Sequence, residues 1–170
     1  MKLKSLHDLF VQELQDMYSF ESQIVSAFPK FIECTSTPEL RRILMNHLQE
    51  AKKEGKTMWT LCKEFDIVPE GKHCVGMEGI IDEGLELITT QENSELVDLA
   101  LISILQKIEH YEITSYGTAA NYAQELGYTD AQDILYQTMQ EEKAADEKLT
   151  AIAEQLIGDL QSQNIIEATT

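Results

Sequence analysis

Apolar residues recur at helical spacing along four long stretches of this chain, with turn-forming residues between them. The first stretch runs from about Ser5 to Ile32 and puts Leu6, Phe10, Met17, Ile24, Phe28 and Phe31 on one face. Ser5, with Asp8 three residues on, reads as its N-cap, and Pro29 is expected to bend or fray its last turn. Thr37-Pro38-Glu39 starts a second helix, which carries Leu40, Ile43, Leu44, Met58, Leu61 and Phe65 and stops before Pro69-Glu70-Gly71. The third begins near Glu92-Asn93-Ser94, carries Val97, Leu101, Ile104, Ile108, Ala119 and Leu126, and ends on Gly127. Thr129-Asp130 caps the fourth, which carries Ile134, Leu135, Ala145, Leu149, Ile152 and Leu156. One domain over residues 1–158 is expected, followed by a polar tail, 159–170, that loses periodicity and frays. With 8 Gly and 3 Pro in 170 residues, the chain lacks the turn supply of an all-β protein.

The second and third stretches are separated by roughly 25 residues, longer than most connections in a compact domain. Met77, Ile80, Ile81, Leu85 and Ile88 predict a short helix inside that connection. So long a crossover lets the second and third helices run in the same direction. The expected fold is therefore all-α, a ferritin-like four-helix bundle with a long crossover containing a short extra helix.

Thirteen Lys and Arg against 30 Asp and Glu give a formal charge of −17. Such a field repels phosphate backbones and anionic lipid and attracts cations, so nucleic acid and membrane are not expected partners. The opening MKLKSLHDLF lacks the apolar run of a secretory signal. Cys34, Cys62 and Cys74 are odd in number and show no CxxC spacing, which suggests free thiols in a reducing, cytoplasmic setting. No Ser-His-Asp order, glycine-rich phosphate loop or zinc-type Cys/His spacing is present.

The informative residues are charged ones on apolar faces. Turning 100° per residue, Glu13 and Glu21 fall within about 50° of the apolar direction of the first helix. His47 and Glu54 are central on the second, with Glu50 to one side. Glu112 is central and Glu109 marginal on the third, while Glu142 is well inside and Asp146 at the edge on the fourth. At about 1.5 Å rise per residue, Glu21, Glu50, Glu54, Glu109, Glu112, Glu142 and Asp146 share one band near mid-bundle, with His47 at its upper edge. Glu13 lies well below the band. Buried together, such carboxylates must be protonated, paired with Lys or Arg, or neutralised by metal. The stripes offer almost no basic partner, and oxygen ligands suit hard ions such as iron or manganese. Solvated faces, rotated wrongly in this reading, are the ordinary alternative.

Gln106-Lys107-Ile108-Glu109-His110-Tyr111-Glu112, followed by Ser115-Tyr116-Gly117-Thr118, resembles the signature of the YciE/YciF stress-protein family, which is ferritin-like. So do His47-Leu48-Gln49-Glu50, Cys74 with Met77-Glu78-Gly79-Ile80, Leu126-Gly127-Tyr128 and Glu141-Glu142-Lys143-Ala144-Ala145-Asp146. Leu9-Phe10, Asp16-Met17-Tyr18 and Glu21 extend the likeness to the first helix. The resemblance implies a closed bundle, often paired as dimers, and a bacterial stress response. Ferritin-like di-metal proteins take one Glu from each of two helices and Glu-x-x-His from each of the others. This chain departs from that pattern with His47-x-x-Glu50, with Ala145 three residues after Glu142, and with Glu109-x-x-Glu112, which resembles the rubrerythrin arrangement.

The reading that follows is a non-haem site for two iron or manganese ions. Glu21, Glu50, Glu112 and Glu142 are its expected core ligands, and Glu109, Glu54, Asp146 and His47 its secondary ligands. Metal ions and O2 or H2O2 are the expected partners, with ferroxidase or peroxide-consuming chemistry in a homodimer. The rival reading is a non-enzymatic helical stress or assembly protein whose metal site is degraded or structural. Tyr18 and Tyr111 could bond a ligand carboxylate or relay an electron, although most tyrosines at such positions simply pack.

Overall fold

The computed structural model describes residues 3–92 and 94–168, with side chains up to residue 162. Five helices follow one another: α1 (Leu6–Cys34), α2 (Pro38–Glu64), α3 (Val75–Thr90), α4 (Glu95–Leu126) and α5 (Thr129–Ala168). Four are long, and α3 is the short helix of the crossover, packed on α1 and α4. The ferritin-like architecture expected from the periodicity is the one present.

Helix ends follow local chemistry. Ser5 and Asp8 form a reciprocal capping box at the start of α1. Gly127 closes α4 at φ 76°, a left-handed conformation that costs a residue with a Cβ about 1 kcal/mol or more. Ser94 caps α4 by accepting from the Val97 N–H at 3.3 Å, while its neighbour Asn93 lies outside the described residues. Pro29 does not end α1; buried Phe28 and Phe31 hold the last turns, and the Thr35 hydroxyl donates to the Phe31 carbonyl. The α5 backbone runs on past Gly158 to Ala168. One interior glycine costs only about 1 kcal/mol, and no proline follows it. Residues 169–170 lie outside the described ones.

Two end clusters fix the topology. At one end Phe10, Phe65 and Tyr128 pack ring on ring, joining the start of α1, the end of α2 and the α4–α5 turn. At the other, Asp98 in the first turn of α4 caps α2 from outside. Its carboxylate accepts the Ser36 and Thr37 backbone N–H groups at 3.1 and 2.6 Å and the Ser36 hydroxyl at 2.8 Å. The Thr37 side chain makes no capping bond of its own. The starts of α2 and α4 are thus adjacent, so the two helices run the same way. Between these ends lies a continuous core from Phe10 to Leu156. Gly84 lets α3 settle onto it, since a Cβ there would stand 2.8 Å from the Phe31 ring.

Candidate metal centre

Six acidic or imidazole side chains converge in the middle of that core: Glu21 from α1, His47 and Glu54 from α2, Glu109 and Glu112 from α4, and Glu142 from α5. His47 and Glu54 share a face because seven residues make two turns, and Glu109 and Glu112 are neighbours at i, i+3. Ligand atoms of His47, Glu109, Glu112 and Glu142 lie within 4.8 Å of one another, as do those of Glu21, Glu54 and Glu112. Glu112 belongs to both groups and links them.

The protein holds this cluster incompletely. Phe28 stacks on the His47 imidazole with ring centres 4.9 Å apart. His47 Nδ1 stands 3.0 Å from Glu109 Oε1, and Nε2 3.6 Å from Glu112 Oε2, yet neither nitrogen is aligned for a hydrogen bond. Tyr116 donates to Glu21 Oε1 at 2.6 Å. Glu21 Oε2, Glu109 Oε2 and both oxygens of Glu54 and Glu112 have no hydrogen-bond partner. Buried polar atoms are nearly always satisfied in folded proteins, so this concentration of open oxygens is chemically informative.

Electrostatics point the same way. Burial, reinforced by Glu54, pushes Glu21 well above the usual carboxylate range; burial with Glu142 and Glu21 does the same to Glu112. Burial and the Glu54 and Glu109 charges push Glu142 up to about 12. Burial also raises Glu54, with the charge of His47 opposing. Burial alone would lower His47, but Glu109, Glu54 and Glu21 outweigh it and raise the imidazole to about 9. Among the described residues no lysine or arginine is buried. Five buried carboxylates and one imidazole form an oxygen-rich donor set suited to hard cations, and the cluster could bind a metal.

Two expected ligands stand apart. Glu50 is exposed, on the rim of a cavity of about 390 Å³ between α2 and α5, beside Arg42 and Lys148. It lies about 60° round the helix from His47, and α2 packs closely on α1 but loosely on α5, so that side opens to water. Asp146 is half-buried and turned outward, 3.0 Å from Gln106 Nε2 and 3.4 Å from His110 Nε2. Glu54 and His47, expected only as secondary ligands, are inside the cluster. Tyr116 was not singled out in the sequence, although its place one turn beyond Glu112 puts it on the same face.

With this geometry in view, comparison with known proteins is direct. The family model described as "Domain of unknown function (DUF892)" matches residues 5–161. The chain belongs to the DUF892 family. It is 40% identical to YciF of Escherichia coli over 154 residues, covering 90% of this chain and 93% of YciF. The crystal structure of that E. coli stress protein superposes with a TM-score of 0.87 at 39% identity, covering 92% of this chain and 99% of the other. YcfI of Rhodopseudomonas palustris, described as a candidate structural protein, matches with a TM-score of 0.83 at 34% identity over 88% and 95% of the two chains. A Xanthomonas campestris protein at 17% identity and TM-score 0.73, covering 94% of this chain and 99% of its own, shares the fold. This DUF892 chain is therefore YciF-like, as the motifs around Glu109, Glu112 and Glu142 implied. Among the described residues no helix is long and apolar enough to cross a membrane.

Proposed function

We propose that this DUF892 protein is a stress-response protein that holds two iron or manganese ions in the mid-bundle cluster and uses them to oxidise Fe(II) or consume peroxide. The observation that carries this reading is the sharing of Glu112 between two sets of ligands. Glu112 would bridge, with His47, Glu109 and Glu142 on one side and Glu21 and Glu54 on the other. Two such ions, when bound, supply electrons to O2 or peroxide as a pair. The chain's own part is positioning and exclusion of water. Tyr116 fixes the Glu21 carboxylate through Oε1 and leaves Oε2 free. Phe28 holds the His47 ring, while buried Met17, Ile24, Met58 and Ile108 are part of the dry core around the cluster. Metal binding draws protons from the raised carboxyl groups, so affinity rises with pH.

The test is anaerobic Fe(II) or Mn(II) titration followed by elemental analysis. Two ions per chain are expected for the native protein, and a loss of at least one for Glu112→Ala. Equal content in both proteins would remove the basis of the proposal.

A second reading has its own support. The His47–Glu109 approach at 3.0 Å and the raised carboxyl groups could keep the cluster neutral by protonation alone. The protein would then be a non-enzymatic helical stress or assembly protein, a reading to which the description of YcfI as a candidate structural protein lends support. It predicts a melting temperature indifferent to chelator and to added Mn(II).

A further inference from the structure

A series of polar and aromatic contacts leads from the acidic cluster to a cleft. It starts at fully buried Tyr116, whose hydroxyl meets Glu21. The Phe20 ring stands edge-on to Tyr116 with centroids 6.0 Å apart, and edge-on to Tyr111 at 5.7 Å. The Tyr111 hydroxyl is 3.2 Å from Asp16 Oδ2 and 3.1 Å from Cys74 Sγ, and that sulfur is itself 3.3 Å from Asp16 Oδ2. Asp16, Cys74 and Tyr111 line a polar cleft of about 540 Å³ together with Glu13 and His73.

The terminus of this chain is held firmly. The Cys74 N–H donates to Ser19 Oγ at 2.9 Å, and its carbonyl accepts from Gln23 Nε2 at 3.1 Å. Gly76 makes the approach possible, because a Cβ there would stand 2.9 Å from the Tyr111 hydroxyl. The Tyr116 hydroxyl donates to Glu21 and the Tyr111 hydroxyl to Asp16, so each phenol carries its proton in this arrangement. A phenol that loses an electron must then shed its proton. Each tyrosine has a carboxylate oxygen at hydrogen-bond distance to take it. Tyrosine and cysteine are readily oxidised by one electron, whereas phenylalanine can serve only as a bridge.

We propose that Tyr116, Phe20, Tyr111 and Cys74 form a one-electron path by which a small thiol in the cleft quenches oxidising equivalents left at the buried cluster. The proposal rests on the metal reading above, with peroxide as the source of those equivalents. Tyr116 passes an electron to the oxidised cluster and its proton to Glu21. Tyr111 refills Tyr116 through Phe20, giving its own proton to Asp16, while Glu21 returns the first proton to Tyr116. Cys74 then gives its thiol hydrogen, proton and electron together, to the Tyr111 oxygen. The thiol in the cleft donates a hydrogen atom to the Cys74 sulfur and leaves as its own radical, and Asp16 releases its proton to water.

The full-length protein is loaded anaerobically with Fe(II), its iron content measured, and the sample mixed with H2O2 and freeze-quenched for electron paramagnetic resonance, with and without glutathione. The native protein should give a tyrosyl radical whose decay is hastened by glutathione. Tyr116→Phe should lose that signal. Tyr111→Phe and Cys74→Ser should keep a radical but lose its dependence on glutathione, at unchanged iron content. Phe20→Leu, which retains an apolar filler, should slow the decay. Native behaviour in Tyr111→Phe with full iron content would overturn the path and leave the metal site standing. Failure of the native protein to retain iron would overturn both.

Discussion

Two regions of this molecule bury carboxylates completely, and they do so in opposite ways. Asp98, at the bundle end, accepts three hydrogen bonds from Ser36 and Thr37 and needs nothing further. Glu112, at mid-bundle, is equally inaccessible yet has no hydrogen-bond partner on either oxygen. Asp98 is structural, its negative charge matched by the exposed N–H groups at the start of α2. The mid-bundle group is left with open donor oxygens by the polypeptide and could hold a metal. Burial alone does not separate the two cases; hydrogen-bond completion does.

The largest effect that separates them is pH. In the unfolded chain Glu21, Glu54, Glu112 and Glu142 ionise near their usual 4.5, whereas in the fold they are raised, Glu142 to about 12. Between those values the folded protein holds more protons, so their contribution is fully present below about pH 4.5 and falls as pH rises. His47 acts in the same sense, its contribution complete below 6.5 and gone above about 9. Metal-free protein should therefore lose stability between pH 5 and 8, by about 1.4 kcal/mol per pH unit for each extra proton held. Denaturant melts in chelator check this, and saturating Mn(II) should flatten or reverse the slope.

Next comes Asp98→Ala, which strands backbone donors at the start of α2 and should cost about 2–3 kcal/mol with metal content unchanged. Glu112→Gln should go the other way. An uncharged isostere removes the cost of keeping a buried carboxyl protonated at neutral pH, so the metal-free protein should gain about 1 kcal/mol, while the stabilisation by Mn(II) is lost. Thermal melts with and without Mn(II) read both outcomes. The smallest effect belongs to Glu50→Gln: its exposed side chain predicts a change within about 0.5 kcal/mol and native metal stoichiometry.

Much of the cluster was legible in the sequence because two independent periodicities intersect there. Face and height together single out Glu21, Glu54, Glu109, Glu112 and Glu142, and height alone demotes Glu13, which lines the Cys74 cleft instead. The rank of Glu50 over His47 and Glu54 was misleading because exposure on α2 depends on how loosely α5 packs against it, a tertiary fact. Asp98 could not be read as a cap because its partners lie some 60 residues away in the chain. Tyr116 appears in the sequence only within a family motif, because its role depends on a hydroxyl contact with Glu21, 95 residues away. The α5 extension past Gly158 shows that loss of apolar periodicity does not by itself stop a helix.

The most direct test is a crystal of the native protein soaked in Mn(II) and measured for anomalous scattering. Two peaks on opposite sides of the Glu112 carboxylate, one within reach of His47 and the other of Glu21, are predicted. Manganese confined to the outer acidic surface, with an undisturbed and metal-free Glu112, would contradict the account.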